Sequence, residues 1–411
     1  MKIAILNNAS NYLCFNINLA KYLELHNHEV VFLNTDNYIR RILSRYKIKV
    51  DDYVKDGKTI NYYNNSSGLV KYYKRINNIK NEEKLIQEKN LEYSKALAYF
   101  KTQNYDCVII LNGAFHVETD VCNQLGIRRF FFEHGYFPNS IQMDEDGVNC
   151  LASCAHLSLE DFLTFKYKTG FFKPLSDYKI IKIKQNLFER YFYRLQDPFY
   201  SSFFINLLKR KNNQFKAKKR FQKTLIDNIE FVGKEPFIFF PLQVNSDTQI
   251  ILNSTYSSMY AAVEDILPKL KETGIKIIIK EHPLEVEPVN YARFIDNKQV
   301  FLVKKFDLNT LIKSSAFVVN INSSVGLQAI ALYKKVLLLG NSLYGHSPIS
   351  VDFQKNRNEP LLELINQIQV NKNVVDDYIH HFKENIFIPG HFYSPTIDLF
   401  ERIRNRLDLE N

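Results

Sequence analysis

The sequence predicts an α/β chain built as two Rossmann-like domains facing a cleft. Three observations carry this. Short apolar runs fit for buried strands alternate with segments of helical period. The alternation stops in a basic, aromatic middle and then starts again. At 411 residues the chain also exceeds the size at which a single hydrophobic core usually stops growing. The expected divisions are 1–222, a first domain with a helical and basic extension; 223–393, a second domain; and 394–411, a terminal helix packing back on the first domain.

Taken in order, "KIAIL" (Lys2 to Leu6) reads as a strand, "FNINLAKYLELHNH" (Phe15 to His28) as an amphipathic helix and "EVVFLNT" (Glu29 to Thr35) as the next strand, a βαβ start. The polar loop "NNASNY" lies at a strand's carboxyl end, where such folds hold ligands, but no GxGxxG accompanies it, so a dinucleotide is not indicated. An Asn- and Lys-rich stretch from Asp51 to Glu92 reads as loop plus helix, after which "YDCVIILNG" (Tyr105 to Gly113) and "RRFFFE" (Arg128 to Glu133) return as buried strands. The second alternation runs through "PFIFFPLQ" (Pro236 to Gln243), a helix near Tyr256 to Glu272, "IKIIIKEHP" (Ile275 to Pro283), "VFLVKK" (Val300 to Lys305), "AFVVNINSSVGLQAIAL" (Ala316 to Leu332) and "KVLLLGN" (Lys335 to Asn341). "SPTIDLFERIRNRL" opens on a Ser-Pro start signal and continues with helical periodicity.

Composition narrows the partners. A formal charge of +10 points to something anionic, whether nucleic acid, a membrane surface or a phosphorylated substrate. Part of the excess sits in "LLKRKNNQFKAKKRFQK", behind the aromatic "FERYFYRLQDPFYSSFF"; this suits an interfacial membrane helix or, equally, a solvated interdomain helix. No helix-turn-helix, zinc-finger or RNP-like pattern supports nucleic acid. "MKIAILNN" is too short for a signal-peptide core, no run reaches membrane-spanning length, and five cysteines fit reduced thiols; the expectation is a cytoplasmic protein.

Four groups fall at or just after strand ends: Glu133 with "EHGYFPNSIQMDEDGVN" behind it; Gln243 and Asp247 in "PLQVNSD"; Lys280, Glu281 and His282 in "KEHP"; and Asn322, Ser323 and Ser324 in "NINSSVGLQA". Ser side chains and free N–H groups at a helix start can cradle a phosphate, although Ser and Asn are also ordinary caps. His282, its backbone fixed by Pro283, can donate to a phosphate or leaving oxygen, or be merely structural. Asp247 reads equally as a helix N-cap, and Glu133 as a partner of Arg128, Arg129 or His134. Paired carboxylates across a cleft are what retaining glycosyl transfer requires, and an apolar strand would hold Glu133 rigid and partly desolvated. The D-x-D of Asp144 to Asp146 and the "CLASCAH" cluster are weak metal signals, so no metal and no cofactor are expected.

In this order, "FEHGYFPNSIQMDEDGVN", "QVNSD", the His-Pro of 282 and 283, and "NSSVGLQA" followed by "KKVLLLGNSLYG" resemble the motifs of bacterial capsule polysaccharide synthesis proteins, the KpsC/KpsS-like β-Kdo glycosyltransferases and their O-antigen relatives. The resemblance covers roughly Glu133 to Gly345. It implies a GT-B-like architecture, a CMP-Kdo donor held by the second domain, and metal-independent transfer with retention to a capsule or lipopolysaccharide glycan or its lipid primer. Carried over by position, Asp247 would be the nucleophile and Glu133 the acid/base; His282 would assist the departing phosphate, and Ser323 and Ser324 would bind the nucleotide. Gln243, Lys280, Pro283, Asn322, Gly326, His134 and Asn139 would complete the substrate and nucleotide contacts. The implied setting is the cytoplasmic face of the inner membrane or a capsule assembly complex. A UDP-sugar transferase or epimerase of the same fold, and a non-catalytic nucleotide-binding subunit of such a complex, are the alternatives. In "EHG" the sequence departs from relatives that often carry Asn or Glu before the Gly, which leaves the acceptor open.

Overall fold

The computed structural model describes residues 1–6, 12–33, 37–51, 60–77, 79, 81–111, 116–170, 178–183, 229–245, 247–285 and 289–407. The chain divides into two compact units, one drawn from Met1–Ser153, Lys166–Phe204 and Lys383–Asn411, the other from Cys154–Phe165 and Ile205–Phe382. The second unit therefore ends at Phe382, earlier than the expected boundary at 393, and it claims a short segment from inside the expected first domain. Most of the "NNASNY" loop and the basic run from Lys209 to Arg220 lie outside the described residues.

The first unit is built on β1 (Lys2–Leu6), β2 (Glu29–Leu33), β3 (Lys49–Asp51), β4 (Cys107–Leu111), β5 (Arg128–His134) and β6 (Ser140–Asp144). The second contributes β7 (Phe237–Pro241), β8 (Lys276–Lys280), β9 (Val300–Val303), β10 (Phe317–Asn320), β11 (Lys335–Leu338) and β12 (Ser350–Asp352), after which β13 (Ile388–Pro389) returns to the first sheet. The first sheet is ordered β13-β6-β5-β4-β1-β2-β3 and the second β12-β11-β10-β7-β8-β9. All pairs in the second sheet are parallel. Its apolar strands follow from that, since a parallel sheet is covered by helices on both faces and has no solvent side to mark with polar residues.

Two strands depart from the parallel expectation. β6 runs antiparallel to β5 and β13 antiparallel to β6. The cause lies in the turn between β5 and β6, which is too short for the crossover that a parallel return needs. There the Gly135 N–H donates to the Ser140 carbonyl at 2.7 Å and Asn139 adopts a left-handed φ of 56°. A Cβ on Gly135 would lie 2.0 Å from Ser140 Oγ, so the close approach of the two strands excludes any side chain. β5 also runs one residue further than read, through Glu133 to His134.

The helix Ile397–Leu407 packs Leu399, Phe400, Ile403 and Leu407 into the same core as Phe15, Tyr22 and Ile141. Arg406 anchors it: the buried guanidinium donates to the carbonyls of Met143, Ile386 and Asn385 and sits 4.2 Å over the Tyr167 ring. Among the described residues no helix is long and apolar enough to cross a membrane.

Candidate functional site

In the second sheet the strand order reverses between β7 and β10, and the carboxyl ends at such a reversal open into the crevice where open α/β sheets bind ligands. Gln243 follows β7 and Asn322 follows β10, and the two buried amides clasp each other across that crevice. Gln243 Nε2 donates to Asn322 Oδ1 at 3.0 Å, while the Asn322 N–H donates to Gln243 Oε1 at 3.3 Å. Asp247 is an N-cap: Oδ1 accepts from the Gln249 N–H at 2.9 Å, and Oδ2 lies 3.4 Å from Gln243 Nε2. The amide thus ties the carboxylate to the strand ends.

His282 follows β8. Its Nδ1 accepts from the Leu284 N–H at 3.1 Å, so the neutral ring carries its proton on Nε2 and presents a donor there. Burial lowers its pKa below the ordinary imidazole range; the charges of Asp247 and Glu285 pull upward and that of Lys280 downward. Ser323 caps the helix Ser324–Ala331, its Oγ accepting from the Val325 N–H at 3.3 Å. The structure thus brings Gln243, Asp247 and Asn322 into one bonded group, with His282 in its field and Ser323 next along the chain.

Lys280, Pro283 and Gly326 stand outside this bonded group. Lys280 Nζ donates to the Lys304 carbonyl at 3.1 Å, and burial lowers its pKa. Pro283 is exposed. Gly326 is buried, and a Cβ there would lie 2.2 Å from the Tyr344 hydroxyl, so packing against Tyr344 requires this glycine. The site also uses Asn245, which sequence reasoning passed over, and Glu281, which it placed at a strand end without a role. The Asn245 N–H donates to Glu285 Oε2 at 2.7 Å, and its Oδ1 accepts from the Tyr260 N–H at 2.9 Å, fixing the loop that carries Asp247. Glu281, nearly buried and 3.9 Å from Lys304 Nζ, has its carboxyl pKa raised, mainly by that burial. Nothing local hinted at the first, and the second was marked only by its place at the end of an apolar strand.

In the first unit Glu133 is half-buried and its Oε1 accepts the His134 N–H at 2.9 Å, while Arg128 pairs with Glu145 at 3.0 Å. Gln142, opposite Glu133 on β6, is buried and donates to the His134 carbonyl and to Asn149 Oδ1, so the hairpin holding the acid is cross-braced. His134 lies among Tyr12, His391, Phe392 and Tyr393, where burial and the His391 charge lower its pKa. The carbonyl of Asn139 accepts from the Gly390 N–H at 2.8 Å, a structural tie to the segment after β13. Asp144 is saturated by the N–H groups of Asp146, Gly147 and Ser153 and the hydroxyls of Ser153 and Tyr167. Among the described residues no three His, Cys, Asp or Glu side chains are grouped to hold a metal.

The model of the family described as capsule polysaccharide biosynthesis protein matches residues 111–393. Protein FixF of Sinorhizobium fredii is 26% identical over 241 residues, covering 58% of this chain and 49% of FixF. The capsule polysaccharide export protein KpsS of Escherichia coli is 24% identical over 247 residues, covering 53% of this chain and 62% of KpsS. The chain thus spans less than two thirds of the length of either relative. Among solved structures, the β-Kdo 2,7 transferase of Thermosulfurimonas dismutans KpsC aligns over 86% of this chain and 98% of its own at 13% identity and a TM-score of 0.37. The β-Kdo 2,4 transferase of the same KpsC aligns over 68% and 87% at 14% identity and a TM-score of 0.37.

Proposed function

This chain belongs to the capsule polysaccharide biosynthesis protein family, and we propose that it is a retaining glycosyltransferase moving Kdo from CMP-Kdo to a capsule or lipopolysaccharide glycan, or to its lipid primer. The observation that carries the reading is the group at the β7/β10 reversal: a carboxylate steadied by Gln243, a neutral imidazole with its proton on Nε2, and a capped helix start, all at strand carboxyl ends. In this reading an Asp247 oxygen attacks the anomeric carbon as the bond to the CMP phosphate breaks, and the His282 Nε2–H gives a hydrogen bond, without losing its proton, to the departing phosphate oxygen. Glu133 then takes the proton of the acceptor hydroxyl as its oxygen replaces Asp247 on that carbon. The excess of positive charge supports work beside anionic lipid at the cytoplasmic face of the inner membrane.

The test is the intact mass of the protein after incubation with CMP-Kdo. A gain of one sugar on the wild-type chain, absent in Asp247→Ala, is expected. A Kdo-transferring protein that never carries the sugar would remove the covalent step. Melting shifts with CMP, CDP and UDP decide the donor: stabilisation by UDP alone would move the reading to a UDP-sugar enzyme. Nucleotide binding with neither transfer nor donor hydrolysis would leave a binding subunit.

A further inference from the structure

We propose that the first unit carries a binding subsite for a neutral, hydroxyl-rich saccharide ring in the cavity lined by Tyr62, Tyr63, Ser67, His116 and Asp120. The cavity holds about 370 Å³, room for one or two sugar rings. Its floor is aromatic and braced from behind. The Tyr62 ring is stacked on Tyr93 with centroids 4.0 Å apart and planes 11° apart, and Tyr63 meets it edge-on at 4.9 Å. The backbone under these rings is pinned by one buried amide: Asn90 Oδ1 accepts the N–H groups of Tyr62 and Tyr63 at 2.8 and 2.7 Å. Tyr62 nevertheless stays 45% exposed, an unusual outlay of apolar surface for a ring held so firmly.

The polar groups set the chemistry of the occupant. Asp120 accepts the Tyr63 hydroxyl at 2.7 Å, one of about four acceptor positions on a carboxylate. Ser67 and His116 add a hydroxyl and an imidazole to the same lining. An aromatic face beside a carboxylate suits a ring with C–H groups on one side and hydroxyl donors at its rim. Among the described residues no lysine or arginine lines the cavity, and an anionic ligand would meet the Asp120 carboxylate, so a phosphate or an acidic sugar is disfavoured. His116 stands at the N-terminal boundary of the helix Val117–Leu125 that follows β4, which places the cavity toward the carboxyl ends of the first sheet. The occupant, resting on the transferase reading above, is the acceptor glycan.

Saturation-transfer NMR on the whole chain with lactose, maltotriose, cellotriose and chitobiose as neutral probes, and Kdo and trigalacturonic acid as acidic ones, tests this. At least one neutral probe is expected to bind, and Tyr62→Ala and Asp120→Asn are each expected to weaken it about tenfold while the melting temperature stays near wild type. No binding by any neutral probe, preference for the acidic probes, or binding untouched by Tyr62→Ala would each overturn the proposal. Transfer of Kdo and hydrolysis of CMP-Kdo by the wild-type chain are measured in parallel. If the wild type neither transfers Kdo nor hydrolyses CMP-Kdo, the transferase reading fails while the binding result still decides the subsite.

Discussion

His282 and His346 illustrate how burial assigns different work to the same side chain. His282 is half-buried with its proton directed to Nε2, whereas His346 is enclosed, with Nδ1 2.6 Å from the Tyr378 hydroxyl and Nε2 3.1 Å from the Cys154 carbonyl. Burial is the main cause that pushes His346 down to about 4. The unfolded chain takes up this proton near pH 6.5 and the folded one resists until about 4, so stability is full above pH 6.5 and is lost as pH falls between those values, by about 3 kcal/mol. Denaturant titrations of the second unit at pH 7, 5.5 and 4 check this; His346→Gln is expected to flatten the decline, and an equally steep decline in that variant would acquit the imidazole. At the candidate site, Asp247→Asn is expected to abolish transfer while keeping its capping bond, and Glu133→Gln to slow transfer by about 10² to 10⁴. Steady-state rates against CMP-Kdo decide both, and a Glu133→Gln rate equal to wild type would leave that acid as a brace for the hairpin. Gln243, Asp247, His282 and Asn322 were legible beforehand because each directly follows an apolar run. Asn245, Glu285 and Tyr344 were not, because their value lies in a contact with a distant segment.

At the scale of elements, the helix Ser324–Ala331 depends on what it is packed against. Tyr344 is fully buried, and its one hydroxyl proton is shared between Asn320 Oδ1, at 2.9 Å, and the Ser323 carbonyl, holding the turn from β10 into the helix. Gly326 leaves room for that ring. Gly326→Ala is expected to cost about 1 to 3 kcal/mol through overpacking and to displace the Ser323 turn. A melting curve measures the first effect, and loss of the nucleotide-induced melting shift measures the second. If Gly326→Ala melts as wild type does, the contact with Tyr344 yields more easily than its geometry suggests. The β5–β6 hairpin makes the same point, because Gly135 is required by the Ser140 backbone beside it.

For the whole molecule, the return of the chain at Lys383 is what closes the first unit. β13 extends the first sheet, and the helix Ile397–Leu407 covers Phe15, Tyr22 and Ile141. A chain ending at Phe382 is expected to lose the cooperative unfolding of the first unit, and limited proteolysis should cut within Met1–Ser153 while leaving a fragment of the second unit intact. Survival of a protease-resistant first unit would show that its core does not need the returning segment. Arg406→Ala is the milder form of this experiment. It leaves three backbone carbonyls without their donor and is expected to cost about 2 to 4 kcal/mol in a denaturant titration.

The sequence by itself determined the two parallel sheets and most of the group at strand ends, because a strand covered on both faces needs an unbroken apolar run and a helix start needs a capping side chain. These are local demands, written in consecutive residues. Tertiary structure decided the rest: the reversal of β6, the early return to the first unit, the inward role of Gly326, the clasp of Gln243 on Asn322 and the cavity floored by Tyr62. Each depends on the register between segments far apart in the chain, and hydrophobic periodicity states which face of an element is buried without stating what is buried against it.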